Sequence, residues 1–420
     1  MSTLGISKII TSQLQRGFTL ANSSLRLMDM LQHQHRMVTV TIPYNDGEIK
    51  GYRVQHNNIL GPYKGGIRIA SHVNPELLLS LATWMTIKCS LLNLPLGGGK
   101  GGICIDPEDV SPSEMERIIK EYTRGISPVI GGTLDIPAPD INSTSQMMDW
   151  MFDSYQETTG VLDKNVVTGK TLEYGGLAGR TAATGIGAYQ ALHSYLEYTN
   201  KFPQGLSFCI QGLGNVGYHL AKKLIENGDR MVGAGDLRGY YTNTDGLSLS
   251  SGFNDSDTVS KEDFFQTPCD VMILAASQLQ VDKEVSEKLQ TSIILEAANG
   301  PLDPEADKVC QTRNIAVIPD ILVNSGGVQA SYYEMLQGEG KCSNGYIGGG
   351  VGDIGVGSGG EPWSETIVNH KLTEKMSKVT TNVLERRRSL RQEFNNDHIS
   401  LRDASYVLAL ENLETVLKRA

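Results

Sequence analysis

A single lysine, Lys100, sits among five glycines in LPLGGGKGGI, residues 94–103. Bare backbone on both sides of a cation suits two chemistries, a cradle for phosphate or a lysine acting directly on a small anionic substrate. A third reading is an ordinary glycine-rich turn with Lys100 in water. A phosphate loop carries Ser or Thr after its lysine to hold magnesium, and here Gly101 follows. A second lysine, Lys88, lies near the end of PELLLSLATWMTIKCSLL, residues 75–92. That run reads as a buried helix, where an ammonium is costly unless something anionic meets it.

Another constellation concerns a cofactor. An apolar strand at 206–210 leads into Gly212-Leu213-Gly214-Asn215-Val216-Gly217, then a helical run, a second strand at 230–235 and Asp236, 19 positions after Gly217. Strand, G-x-G-x-x-G, helix, strand and acid together form a dinucleotide site. The glycines permit a tight turn and close approach of a pyrophosphate to the helix N-terminus, and the acid accepts from ribose hydroxyls. Short strands at 270–274, 292–296 and 315–318 alternate with helical segments, which predicts a doubly wound parallel sheet. Ligands in such sheets lie beyond the carboxyl ends of the strands. That places Ala275-Ala276-Ser277, Ala297-Ala298-Asn299-Gly300 and the chain from Asp320 toward the cofactor.

The elements ahead of this sheet read differently. Residues 37–43 and 49–55 alternate apolar and polar side chains around Asn45-Asp46-Gly47, which predicts an antiparallel hairpin. The first 28 residues lack Asp and Glu. They read as an amphipathic first helix, with a transit-peptide-like composition as the alternative. The C-terminal stretch from 401 reads as an amphipathic helix, and Arg386-Arg387-Arg388 as a solvated helix face.

Composition bounds the function. With 420 residues, 40% hydrophobic and 20% charged, the chain is globular and long enough for two or three domains. A net charge of -10 argues against nucleic-acid binding. The six cysteines contain no C-x-x-C, which fits reduced thiols in a cytoplasmic protein rather than a metal site or a disulfide scaffold. No apolar run reaches the roughly 18 residues of a membrane span.

Taken in order, GPYKGGIR at 61–68, WMTIKCSLLNLPLGGGKGG at 84–102, DIPAPD at 135–140, QGLGNVG at 211–217, AANGP at 297–301 and ILVNSGGVQASYYE at 321–334 resemble the glutamate dehydrogenase family. That family lies within the group of amino acid dehydrogenases acting on Glu, Leu, Phe or Val. The resemblance runs over most of the chain. It implies that Lys64 meets the side-chain carboxylate of glutamate, Lys88 its α-carboxylate, and that Lys100 is the catalytic lysine with Asp140 as partner acid. Ser331 matches the serine that helps hold the distal carboxylate. Thr184, in RTAATGIG, with Asn299 and Asn324, matches residues lining the nicotinamide. The resemblance therefore favours the substrate reading of Lys100.

It further implies a two-domain α/β fold. An N-terminal substrate-binding and assembly domain (1–185) is completed by C-terminal helices (365–420), and a dinucleotide-binding Rossmann domain spans 186–340. The reaction implied is reversible deamination of L-glutamate to 2-oxoglutarate and ammonia by a cytoplasmic homohexamer, with an organellar matrix as the alternative location. NAD is the expected cofactor from Asp236, while Arg238 nearby leaves NADP or dual use open. Retention of Lys64 and Ser331 favours glutamate over apolar substrates. Two departures from the family pattern stand out: GGTL ahead of DIPAPD, and a glycine-rich segment within 341–362 that resembles an insertion. They leave open a weakly catalytic paralogue in a mixed oligomer, beside a related dehydrogenase with another substrate.

Overall fold

The computed structural model describes residues 3–201, 205–250, 252–341 and 362–419. Two sheets organise it. The first has the order β1-β2-β4-β3-β5, built from β1 (Arg36–Tyr44), β2 (Gly47–Asn57), β3 (Tyr63–Ile69), β4 (Gly98–Ile103) and β5 (Asp135–Pro139). The expected hairpin is present, with Tyr44 facing Gly47 across a turn in which Asn45 takes a left-handed φ of 51°. The second sheet has the order β12-β11-β10-β6-β7-β8-β9. Its strands are β6 (Ser207–Gln211), β7 (Arg230–Gly235), β8 (Tyr240–Thr242), β9 (Thr258–Val259), β10 (Val271–Leu274), β11 (Ile293–Glu296) and β12 (Ala316–Ile318). Five of them are parallel, as the alternation of strands and helices predicts. β8 and β9 add an antiparallel edge, too short to register as strands in the sequence.

Helices α1 (Thr3–Ala21), α2 (Leu25–Gln32), α3 (Pro75–Leu91), α4 (Pro112–Ile126) and α5 (Ser145–Thr159) belong to the first sheet's half. Helices α6 (Arg180–Tyr198), α7 (Asn215–Glu226), α8 (Lys261–Phe265), α9 (Lys283–Lys288), α10 (Pro304–Thr312), α11 (Asp320–Val323) and α12 (Gly326–Gly338) surround the second. Residue 185 lies in the first turns of α6. The chain closes with α13 (Glu365–Phe394) and α14 (Leu401–Leu417). The glycine-rich stretch 343–360 lies outside the described residues.

One apolar core runs through both halves and includes Ile9 of α1, Trp84 of α3, Leu192 of α6, Ile273 of β10 and Leu410 of α14. Smaller cores cover the outer face of each sheet, under α4 and α5 on one and under α8 to α10 on the other. The amphipathic reading of the first helix holds, since Ile6, Ile9, Ile10, Leu14 and Phe18 form its buried stripe. The reading of α14 needs correction. It is buried on nearly every side because it packs against α1, α3, α13 and β12. Arg386 is likewise not merely solvated: it pairs with Glu411 at 2.7 Å and ties α13 to α14. Among the described residues no helix is long and apolar enough to cross a membrane.

The glycine run around Lys100 is not a loop. Gly98–Ile103 is a fully buried strand, hydrogen-bonded to β2 and β3. Its glycines allow close packing rather than flexibility. A Cβ on Gly98 would lie 2.1 Å from Thr86 Oγ1 and 2.4 Å from the Ala82 carbonyl oxygen, and one on Gly101 would lie 2.6 Å from the Tyr122 hydroxyl. Strand periodicity turns Lys100 to the same face as Gly98 and Gly102, the face against α3. Gly98→Ala should therefore lower stability by about 1–3 kcal/mol through overpacking, whereas Gly47→Ala, whose nearest neighbour would be 4.0 Å away, should be near neutral. Chemical denaturation of the two variants checks this, and equal stabilities would count against the close-packing account.

Candidate functional site

The sheets bring Lys64, Lys88 and Lys100 into the protein interior at 1%, 5% and 5% exposure. Each is met differently. Lys88, in the last turn of α3, donates to Asn299 Oδ1 at 2.5 Å and Asn324 Oδ1 at 2.6 Å. Both asparagines follow strands of the second sheet, so this lysine spans the two halves. Asn324 Nδ2 also donates to Asn299 Oδ1 at 3.0 Å and to the Ala297 carbonyl at 3.2 Å, which fixes the pair's orientation. Burial pushes Lys88 down to about 8, opposed by Asp320 and Asp140 and reinforced by Lys100.

Lys100 Nζ lies 3.0 Å from Asp140 Oδ2. The same oxygen accepts from Arg68 Nε at 3.0 Å. Asp140 follows β5, and its position is set by Ser143, whose hydroxyl accepts from the Asp140 backbone N–H at 2.7 Å and donates to the Ile67 carbonyl at 2.7 Å. Burial lowers the Lys100 pKa below the ordinary lysine value, Asp140 opposes that shift, and Arg68 and Arg53 add to it. Burial alone would raise the Asp140 carboxyl, but Lys100 and Arg68 together hold it well below the usual carboxylate range. Asp140 is thus an anionic acceptor here.

At the other end, Lys64 Nζ donates to the Ile136 carbonyl at 3.2 Å. Burial, reinforced by Arg180 and Arg53, drives its pKa well below the ordinary value against the pull of Glu334. Ser331 Oγ accepts from Arg180 Nη1 at 3.0 Å. Behind them Glu334 accepts from the Gly169 N–H at 2.8 Å, Lys170 Nζ at 3.0 Å and Arg180 Nη1 at 3.5 Å. Arg180 and Ser331 are thus hydrogen-bonded, with Lys64 within electrostatic reach of Arg180, while Lys88, bonded to Asn299 and Asn324, lies within electrostatic reach of Lys100 and Asp140. Cys89 lies within electrostatic reach of both Lys64 and Lys88.

Arg68, Arg180, Lys170 and Glu334 were not singled out in the sequence. Three of them lie inside motifs quoted for other residues. Arg68 follows Lys64 by four, which on a strand places both on one face; Arg180 opens RTAATGIG, and Glu334 closes ILVNSGGVQASYYE.

The second sheet supplies a dinucleotide cradle. Gly212 has φ +97°, and a Cβ there would lie 2.6 Å from the Ala276 backbone N, while one on Gly217 would overlap the Gly212 carbonyl at 1.9 Å. A Cβ on Gly214 meets nothing within 4 Å, so this position opens outward, where a pyrophosphate would approach the N-terminus of α7. Asn215 donates to the Thr181 carbonyl at 2.8 Å, Val216 occupies the first turn of α7, and Thr184 sits on α6 against Gly327 of α12. Asp236, just past β7, accepts from Arg238 N at 2.8 Å on one oxygen and from Arg238 Nη2 at 2.6 Å on the other. The residues present fit a nicotinamide dinucleotide, for which the glycines would form the backbone cradle and Asp236 would accept from the ribose.

Comparison with known proteins gives the same picture. Residues 34–157 match the Glu/Leu/Phe/Val dehydrogenase dimerisation domain, and residues 175–344 match the Glutamate/Leucine/Phenylalanine/Valine dehydrogenase family. The chain is 36% identical over 401 residues to the NAD-specific glutamate dehydrogenase of Staphylococcus aureus, covering 92% of this chain and 91% of that one. It is 35% identical over 412 residues to the protein of the same name from Clostridioides difficile, covering 93% and 92%. Among solved structures it is similar to a hetero-hexameric glutamate dehydrogenase from Thermus thermophilus, with TM-score 0.87, 30% identity and coverage of 99% and 97%. A glutamate dehydrogenase from Peptoniphilus asaccharolyticus gives TM-score 0.78 at 30% identity, covering 99% of both chains.

The lowered pKa of Lys88 makes a signed prediction. In the ligand-free site Lys88 loses its proton as pH rises through about 8, so an anion held by this ammonium should bind about tenfold more weakly per pH unit above that point. Glutarate, a dicarboxylate without the reacting carbon, is a suitable probe. Its affinity should show this limb in the native protein and lose it in Lys88→Arg, which keeps its charge. Identical pH profiles would remove Lys88 from anion binding.

Proposed function

The chain belongs to the Glu/Leu/Phe/Val dehydrogenase family and is a glutamate dehydrogenase by sequence and fold, and from this premise we propose how its site performs the reversible oxidative deamination of L-glutamate to 2-oxoglutarate and ammonia. NAD, when bound, accepts the hydride released from the α-carbon. The chain's own groups do the rest. Lys88 holds the α-carboxylate, and the group formed by Lys64, Arg180 and Ser331 holds the distal one. Cationic groups at the two ends of the substrate orient the α-carbon between them.

Loss of hydride leaves an iminium that water must attack. Lys100, as the neutral amine, takes the proton of that water, and as the ammonium returns it to the departing amine. Asp140 stays ionised, accepts from Lys100 and from the substrate nitrogen, and keeps both aligned. The observation that carries this reading is the buried Lys100–Asp140 contact at 3.0 Å beside Lys88. A lysine with a depressed pKa touching a fixed carboxylate in a cationic pocket is equipped for acid–base work near neutral pH.

Selection among amino acids rests on the distal end. An apolar side chain placed there would leave buried cations unpaired, a cost that discriminates strongly against it. Lys64, Ser331 and Arg180 are all polar, and Arg180 donates to Ser331 at 3.0 Å, which supports glutamate as the substrate.

We further read the protein as a cytoplasmic homohexamer. Support for assembly comes from the dimerisation-domain match at 34–157, from the hexameric relative, and from exposed Leu134, Ile141, Val161, Leu162 and Leu172 on the first half. The five described cysteines are all free thiols, in keeping with a reducing compartment.

Absorbance at 340 nm with purified protein, glutamate and NAD tests the assignment, with NADP, leucine and phenylalanine in parallel. Glutamate-dependent reduction of NAD is the expected outcome, and dinucleotide binding with no reduction on any substrate would overturn it. Lys100→Ala should lower kcat by about a hundredfold or more while leaving NADH binding, read by fluorescence, nearly intact. Preference for NAD should depend on Asp236. Asp236→Ser frees the exposed Arg238 side chain to meet a 2'-phosphate, and should raise the NADP/NAD ratio of kcat/KM by about tenfold or more. An unchanged ratio would take cofactor choice away from this pair.

A further inference from the structure

Arg68 shares its acceptor with the reacting lysine. Its Nε and Lys100 Nζ approach the same oxygen, Asp140 Oδ2, each at 3.0 Å. Arg68 is 2% exposed and lies on β3, four residues from Lys64. Nothing in the proposed reaction requires Arg68 to touch substrate, yet a buried guanidinium placed against a carboxylate that already has a cation needs a reason.

A charge count supplies one. In low dielectric the electrically balanced arrangement of a cluster is strongly preferred. With Arg68 present, the set Arg68, Asp140 and Lys100 is neutral when Lys100 is the free amine and carries one positive charge when it is the ammonium. Without Arg68 the preference reverses. Lys100 and Asp140 would then form a neutral ion pair, and deprotonating Lys100 would leave a buried carboxylate alone. The other charged groups around Lys100 do not change this count. Arg53 of β2 is neutralised by Asp135, with Nε to Oδ2 at 2.9 Å. Lys88 of α3 repels the ammonium form as well, with Asp320 behind it. Lys64 of β3 donates to a backbone carbonyl and has Glu334 as its neighbouring carboxylate.

We propose that Arg68 is a positioning residue that acts through Asp140, its permanent charge occupying the carboxylate so that Lys100 can release its proton and serve as the base. The proposal rests on the reading of Lys100 as that base. Arg68 also keeps Asp140 in place and ionised throughout the cycle, because the carboxylate retains one partner when Lys100 is neutral. A structural role alone would need no cation at this point, since Ser143 already fixes the Asp140 backbone.

The test is the pH dependence of kcat/KM for glutamate with saturating NAD, between about pH 6 and 10, whose rising limb reports the base of the free enzyme. Arg68→Met should move that limb upward by about one pH unit, lowering kcat/KM about tenfold below the limb and much less above it. Arg68→Gln, which keeps a donor for Asp140 without the charge, should shift it likewise, and Arg68→Lys should return it toward the native position. NADH binding and thermal melting identify variants that are folded. A limb that stays put in both neutral variants, or an activity loss equal at every pH, overturns the role of Arg68. Lys100→Ala is measured alongside: if it retains turnover with the native limb, the reading of Lys100 itself fails, an outcome distinct from an unshifted limb in the Arg68 variants.

Discussion

The interior cations are the constraint that the rest of the structure answers. Lys64, Lys88, Lys100, Arg68 and Arg53 are each 5% exposed or less, and an uncompensated buried charge costs several kcal/mol even after relaxation. The fold gives each one a fixed acceptor, but not an equal one. Arg53 has a full carboxylate pair with Asp135, which Gln55 also reaches at 2.8 Å. Lys100 and Arg68 share Asp140. Lys88 has two amide oxygens and Lys64 only a carbonyl. Arg53 is therefore fully neutralised, while Lys64 and Lys88, proposed to meet substrate, are met by neutral oxygens. On the proposed assignment a dicarboxylate would bring the missing negative charge, so that binding energy and specificity would have the same source.

This arrangement explains why the glycines surround Lys100. A lysine on a central strand, with another strand on each side and a helix across its face, has room for its side chain only where its neighbours have none. Gly98 and Gly102 clear the face against α3, and Gly99 and Gly101 clear the face toward Arg53 and Tyr122. The same reasoning applies to Gly65, whose Cβ would lie 1.7 Å from the Gly99 carbonyl. The glycines thus serve close packing of the backbone on both faces of the strand.

Much of the fold was legible because its signals are local. The hairpin at Asn45-Asp46-Gly47, the capped helix α3 and the strand, glycine motif and helix at 207–226 all declare themselves within a few residues. The site was legible chiefly through motifs. What periodicity could not supply was the pairing of distant groups: Lys88 meets Asn299 and Asn324, 211 and 236 positions away. Arg68 and Arg180 were visible as letters in quoted motifs, but their acceptors become clear only when β5 and α12 are in place. The GGGKGG segment gave no sign of its strand for a definite reason. Five glycines carry neither a strand nor a helix period, so the default reading is a loop, and the tertiary packing that makes them a strand leaves no mark on local pattern.

The contact of Lys88 with Asn299 and Asn324 also ties chemistry to the relation between the two halves. Lys88 belongs to α3 over the first sheet, whereas both asparagines follow strands of the second. Nearby, Trp84 of the same helix donates to the Tyr406 hydroxyl of α14 at 3.0 Å. Arg402, on that α14, reaches Glu296 at 2.8 Å and Asp320 at 3.5 Å. Asp320 in turn accepts from the Gly300 N–H at 2.8 Å, beside Asn299. Helix α14 thus braces α3 against the carboxyl ends of β11 and β12. In the proposed mode of binding, an α-carboxylate on Lys88 would compete with the asparagine oxygens for its ammonium and so alter the hydrogen bonds that cross between the halves. On that proposal, substrate recognition and these cross-half hydrogen bonds depend on the same three side chains, Lys88, Asn299 and Asn324, because the cation at the end of α3 is placed between the two halves rather than wholly within one.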